Sequence, residues 1–211
     1  MRSRTNADVA PGTRKIRKAH PPGRVKIAKA MRSLLEHKDF NSITTAEIAR
    51  ESGMNEALIY RYFKDKRGLL HQVLADDLEE FNKRIVLDIK DIKGSLNKLR
   101  KLIWSQIYYY NQNRIPAKIL LLEVRSYPGY FESETYRMVK DYAQVVTDII
   151  TDGIENGEIR DDISPRHLRR LVIGGIEYMI LGAIVHRSAI DADLLTDELC
   201  KIIFSGIAKT S

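Results

Sequence analysis

Apolar positions recur three and four apart along almost the whole chain, and nowhere do they alternate convincingly with polar ones. Val25, Ala28, Met31, Leu34 and Leu35 follow helical spacing and predict a first helix over about 24–37. The stretch TTAE follows, with Thr44 at an N-cap and Glu47 three residues on. That is a capping box, in which each side chain satisfies a backbone N–H of the other. It opens a second helix with Ile48 and Ala49 on its buried side, ended by Gly53 just past its C-terminus. Asn55 caps a third helix reaching about Phe63, and Asp65 caps a fourth that begins at Lys66 and carries Leu69, Leu70, Val73, Leu74 and Leu78 inward. Amphipathic helices continue beyond, cut at Gly94, Pro116, the YPG of 127–129, Gly153, Gly157 and Pro165. Ser164 before Pro165 reads as an N-cap followed by proline at the first helical position. The expected fold is all-α: a three-helix N-terminal head over 23–66, joined through a long helix to a helical domain over 67–211. Residues 1–22 show no apolar periodicity and are expected to form a disordered arm.

Charge changes this picture by marking one end. Residues 1–66 hold 15 Lys and Arg against 7 Asp and Glu, whereas the remainder holds 20 against 21, so the whole excess of +7 sits in the first third. A field localised in this way suits a phosphate-binding surface. A single charge run is otherwise most often a solvated face. The arm, with Arg2, Arg4, Arg14, Lys15, Arg17 and Lys18, is either a tail or a groove-seeking extension. One cysteine, Cys200, excludes an internal disulfide and is too few for a zinc site, and it reads as a buried thiol. The basic N-terminus lacks the apolar core of a secretory signal, and no uncharged apolar stretch is long enough to span a bilayer. A cytoplasmic protein that does not enter membranes is expected.

The chemistry concentrates in GMNEALIYRYFKDKRGLL, 53–70. Two short helices separated by Gly53-Met54-Asn55 form a helix-turn-helix, whose tight turn lets helix two brace helix three for entry into a major groove. On helix three, Ile59, Tyr62 and Phe63 stand at i, i+3 and i+4 and should face the core. Glu56, Ala57, Tyr60, Arg61 and Lys64 occupy the rest of the surface. Aromatic carbon then packs while phenol and guanidinium reach phosphates or base edges.

The stretch ITTAEIARESGMNEALIYRYFKDKRGLL, 43–70, resembles the DNA-binding domain of the TetR family of transcriptional regulators along its full length. The resemblance rests on Thr44, Ile48-Ala49, Gly53, Ile59-Tyr60, Tyr62-Phe63, Lys66 and Leu69-Leu70. It implies that Thr44 and Tyr60 hold phosphates, that Thr45, Glu56, Ala57 and Arg61 approach bases, and that Lys66 grips the DNA backbone near the positive end of helix four. Asn55, Tyr62 and Lys64 complete the expected DNA-binding set. Where the family often has glycine or proline and then threonine, this sequence has Ala57 and Leu58, and leucine has no hydroxyl to offer a phosphate. Glu56 either accepts from a cytosine amine or favours the helix dipole away from the duplex.

The resemblance implies that 67–211 is a helical effector-binding and dimerisation domain. LLLEVRSYPGYF at 120–131 and IITDGIENGEIRDDISP at 149–165 are similar to a TetR subgroup that controls fatty-acid degradation and answers to acyl-CoA thioesters. Independently, LVIGGIEYMILGAIV at 171–185 is apolar nearly all round, and Gly174, Gly175, Gly182 and Ala183 allow close approach of another helix. Leu195, Leu199, Ile202, Ile203 and Gly206 supply a second stripe, so an isologous four-helix homodimer interface is expected over 165–207. Burial within the chain's own core is the alternative. Trp104, Tyr108, Tyr109 and Tyr110 form an aromatic group of the kind that usually belongs to a core. Tyr109, Arg125, Glu177 and His186 are the effector-binding candidates, being polar or amphipathic groups in apolar helices.

The expected activity is a ligand-responsive repressor that binds a palindromic operator in double-stranded DNA as a homodimer and is released by a small hydrophobic effector. No catalytic, cofactor or metal site is expected. An enzyme with a phosphate-binding head is the competing class, but the chain has no HExxH, GxSxG, Cys–His pairing or glycine-rich phosphate loop. A sequence-tolerant architectural DNA binder is the third.

Overall fold

The computed structural model describes residues 20–208. Among them are nine α-helices and no strand, apart from a lone antiparallel bridge between Ile159 and Ala208. The arm expected over 1–22 lies outside the described residues up to 19, and its last residue belongs to α1 (Pro22–Leu35). This helix starts and stops two residues before the expected 24–37. Pro22 sits at the first helical position, where its missing N–H costs no bond.

The head is built by caps. Ahead of α2 (Thr45–Ser52), Thr44 Oγ1 accepts from Glu47 N at 3.2 Å, and the Glu47 carboxylate accepts from Thr44 N at 2.9 Å. Gly53 then takes φ of 65°, a left-handed conformation that glycine adopts without Cβ strain, and turns the chain toward α3 (Ala57–Phe63). Asn55 caps as expected, its Oδ1 accepting from Ala57 N at 2.8 Å. Ile27, Met31, Phe40, Ile43, Ile48, Ile59 and Phe63 form the core of the head.

Asp65 accepts from Gly68 N at 2.6 Å and starts α4 (Lys66–Ile89), a helix shared between both parts of the molecule. Its first half buries Leu69, Leu70 and Val73 toward the head. Its second half buries Leu78, Phe81 and Ile85 in a body made of α5 (Ser95–Gln112), α6 (Arg114–Lys118), α7 (Glu134–Glu155), α8 (Pro165–His186) and α9 (Ala192–Ile207).

Two expected breaks are absent. Pro116 lies in the first turn of α6, where backbone N–H groups have no helical partner to lose. Gly153 lies inside α7, and its role is closeness. A Cβ there would sit 2.7 Å from Ile159 Cδ1 and 2.8 Å from Ser95 Cβ. The expected break at the YPG of 127–129 is present but longer, running from α6 to α7 as a π-helical turn, Ile119–Glu123, followed by 3₁₀ turns at Val124–Ser126 and Pro128–Glu132.

On α8 the apolar residues divide cleanly by face. Leu168, Val172, Ile176, Ile180 and Ile184 are buried four apart, while Leu171, Gly174, Tyr178, Gly182 and Val185 are exposed. Tyr178 is 81% exposed, and Ile202 on neighbouring α9 is 69% exposed. A contiguous apolar surface of this kind is unusual on a monomer. No helix among the described residues is long and apolar enough to cross a membrane.

Candidate functional site

The α3 helix presents Ala57, Tyr60, Arg61 and Lys64 to solvent at i, i+3, i+4 and i+7, while Ile59 and Phe63 are buried beneath them. Tyr62 is half-buried. Its ring meets Phe63 edge-on at 6.2 Å and lies beside Gly23 and Met54, so it braces α3 against α1 more than it faces outward. Arg61 makes no hydrogen bond or ion pair among the described residues, which leaves its guanidinium available. Lys64 ends the helix at φ of 73°, an uncommon conformation for a side-chain-bearing residue.

Several of the expected contact groups are already engaged. Thr45 donates its hydroxyl to the Glu56 carboxylate, tying the start of α2 to the start of α3. Thr44 spans the capping box, and Glu47 in that box also takes the Lys38 ammonium at 2.6 Å. The Lys38 bond, followed by the Thr44 bonds, pulls the Glu47 carboxyl down to about 2. Thr44 is exposed, and its hydroxyl donates to the Glu47 carboxylate and accepts from its backbone N–H. Lys66 turns inward: Nζ donates to the Phe40 carbonyl at 3.0 Å and the Ile43 carbonyl at 2.6 Å, and it stands 4.5 Å from the Phe40 ring. An ammonium has three donors, so one is left for a phosphate. Desolvation, then repulsion from Arg67, lowers its pKa.

The body brings together only two of the four effector candidates. Arg125, on the irregular segment, grips Glu177 of α8 through Nη1 at 2.7 Å and Nη2 at 2.6 Å. The Glu177 hydrogen bonds raise the Arg125 pKa further, so the guanidinium stays charged. Both residues line a small pocket with Leu78, Phe81, Asn82, Gln106, Tyr110, Leu120, Val139, Tyr142 and Ile173. Inside it Tyr142 donates to Gln106 Oε1 at 2.6 Å, and burial drives the pKa of the Tyr110 and Tyr142 phenols upward, keeping them neutral.

His186 does not join this cavity; it is exposed in the last turn of α8. It lies nine residues beyond Glu177, about two and a half helical turns, and therefore on the opposite face.

Tyr109 lies on the other side of Phe81, with ring centroids 4.5 Å apart. Phe81 in turn stands 5.5 Å from Tyr142 of the small pocket. Tyr109 lines an open groove of about 480 Å³ between α4 and α5, together with Asp77, Arg84, Lys101, Trp104 and Tyr108. Phe81 lines both spaces and partitions them. Asp77 at the groove also holds Arg32 of α1 at 2.8 Å, which connects the groove wall to the head. Sequence reasoning passed over Asn82, Gln106 and Tyr142. Their one signal was a polar group inside an otherwise apolar helical stripe.

A helix-turn-helix head with a free cationic reading face, carried on a helical body with a cavity, defines the class of one-component DNA-binding regulators. Residues 27–73 match the model for bacterial regulatory proteins of the tetR family, and residues 74–206 match that for the YsiA-like protein, C-terminal region. The chain belongs to the TetR family of transcriptional regulators. It is 23% identical over 186 residues to the fatty acid metabolism regulator protein of Bacillus subtilis, covering 88% of this chain and 96% of that one. The crystal structure of the transcriptional regulator FadR from Bacillus subtilis in complex with stearoyl-CoA superposes with a TM-score of 0.78 at 23% identity, over 87% of this chain and 98% of that one. The fatty acid degradation regulator FadR from Bacillus halodurans gives 0.79 at 17% identity, over 90% and 98%. At these identities the structural likeness speaks for the fold.

Proposed function

We propose that this protein is a repressor that binds a palindromic operator as a homodimer and is released by a long-chain acyl-CoA. The observation that carries the reading is the continuous path from cavity to reading head. Phe81 partitions the groove from the cavity, and Asp77, one helical turn before it on α4, holds Arg32 of the head. An effector that moves Phe81 therefore shifts the same helix that positions α3. By linkage, effector and operator each weaken the other's binding. The stearoyl-CoA bound by the Bacillus subtilis relative supports an acyl thioester as the effector.

The exposed apolar faces of α8 and α9 support pairing of two copies through a four-helix interface, which sets two reading heads for two half-sites. In this reading Tyr60, Arg61, Lys64 and the third donor of Lys66 contact DNA. Ala57 and the Thr45–Glu56 pair face base edges, and Asn55 and Thr44 hold the ends of the reading helices. The protein does no chemistry and works in the cytoplasm, where its DNA is. Selection of bound sites from random duplex DNA, repeated with stearoyl-CoA, tests it. A palindromic consensus lost on adding the thioester is expected. Recovery of random sequences, or of the same palindrome at undiminished yield with effector present, refutes it.

A further inference from the structure

Where head and body meet, one cation touches a ring from each. The Arg67 guanidinium, in the first turn of α4, stands 5.3 Å from the Phe40 ring of the head and 4.4 Å from the Tyr127 ring of the body. It makes no hydrogen bond or ion pair among the described residues, so the two rings are what hold it. Tyr127 is itself fixed. Its N–H donates to the Val124 carbonyl at 3.2 Å and its carbonyl accepts from Tyr130 N at 2.9 Å, which locks the backbone on both sides. Gly129 leaves room for the ring, since a Cβ there would stand 2.9 Å from Tyr127 Cε1. Two residues before Tyr127, Arg125 grips Glu177 of α8 through both terminal nitrogens. Residues 124–127 thus form a strap from α8 to the head.

Both ends of the strap bear on DNA. At one, Glu177 adjoins Tyr178, which lies on the exposed face offered to a second copy. At the other, Phe40 opens the 3₁₀ turn Phe40–Ser42 that leads into α2, the helix bracing α3. A head carried on one rod can tilt about it, whereas a second attachment off the rod's axis fixes the angle. Two other ties are weaker or more distant. The Lys118–Asp39 pair, at 3.6 Å, meets the same turn but is exposed and contributes little. The Thr135–His71 bond joins α7 to α4 one turn further from the head. Tyr127 is 39% exposed, so its loss removes the contact to Arg67 without opening the core.

We propose that Tyr127 is a positioning residue for the reading heads, and that this strap sets their separation in the dimer. The proposal rests on the two-headed operator reading above and adds the element that fixes its spacing. Titration of the full chain against the selected operator, a single half-site, and operators with the spacer one base pair longer or shorter tests it. The natural protein is expected to reject the altered spacers. Tyr127→Leu should shrink that discrimination by about two- to fivefold for each strap released, with half-site binding unchanged, and Tyr127→Phe should restore it. Unaltered discrimination in Tyr127→Leu overturns the proposal. So does an equal loss on half-site and operator, which marks a merely structural residue. Arg67→Gln withdraws the cation instead and carries the same expectations, should Tyr127→Leu not fold. If the natural protein recovers no two-fold site, the operator reading is wrong. The strap is then judged without DNA, by pulsed-EPR distances between nitroxides on Arg50→Cys, exposed on α2 of each head. A broader distribution in Tyr127→Leu supports the strap, and an identical one overturns it.

Discussion

Replacing Lys66 with methionine keeps the aliphatic stem against Phe40 and removes only the ammonium. Two bonds disappear, to the carbonyls of Phe40 and Ile43, which hold the 3₁₀ turn Phe40–Ser42 and the residue after it against the start of α4. Hydrogen bonds to a charged donor contribute about 1.5–3 kcal/mol each. Lys66 is only half-buried, so the lower end applies, about 3 kcal/mol for the pair, with ~0.5 kcal/mol more from the cation over the ring. In a chain of this size each kcal/mol shifts the melting temperature by about 2–4 °C, so Lys66→Met should melt roughly 7–14 °C lower. Thermal unfolding followed by circular dichroism reads that shift. Operator binding across a salt series reads the DNA role separately, since one lost phosphate contact lowers the slope by about 0.9. Unfolding at the natural temperature would refute the clasp and return Lys66 to a role on DNA alone.

Three further outcomes follow from the same structure. Arg61→Ala should leave the fold intact and cost about 1–3 kcal/mol of operator binding at one base position, whereas Phe63→Ala should destabilise the head by about 3–5 kcal/mol; unfolding and binding measured together on both variants check the division of faces. Gly182→Arg, at a position with nothing within 4 Å of an added Cβ, should give a folded monomer by light scattering with weakened operator binding, and a stable dimer would remove this face as the interface. Gly175 is the poorer probe, because its Cβ would already press on Leu199 Cδ1 at 3.3 Å. His71 is buried. Thr135 Oγ1 gives its proton to the His71 carbonyl, so His71 Nδ1 must donate to that oxygen, leaving Nε2 without a partner among the described residues. Burial, then Arg67, holds its pKa below 6.5, so the folded state binds fewer protons than the unfolded one. Its contribution is present above 6.5 and lost as pH falls through the lowered value; His71→Gln should flatten the stability curve there, and an unchanged curve would exclude this residue as the cause.

What could be read from the chain was local. The Thr44–Glu47 box, the left-handed Gly53, the Asn55 and Asp65 caps and the split between Ile59/Phe63 and Tyr60/Arg61 all involve residues at most four apart, and they appear in the structure where the pattern put them. Direction of a long polar side chain is not local. Nothing near Lys66 announces that it turns toward carbonyls 23 and 26 residues back, and nothing near Arg125 announces a partner 52 residues ahead. A polar residue in an apolar helix lines the pocket at Glu177 and stands in solvent at His186, because the pattern carries no helical phase. The YPG of 127–129 marked the end of the interruption at 119–132, but its start escaped for a related reason: ILLLEV has ordinary helical composition, and only packing shows that its turns are wide and then tight.

The helix α4 has 24 residues and spans about 36 Å without a break, from the reading head into the body. It therefore acts as a lever with no hinge between its arms. A tilt of only about 5° at the body end displaces the far end by ~3 Å, and in a two-fold dimer the heads separate by ~6 Å. The major groove is about 12 Å wide and half-sites lie about 34 Å apart, so that excursion takes both reading helices out of register together. A small displacement in the body is thus enough to disturb a contact spanning a full turn of DNA, because stiffness over distance supplies the amplification.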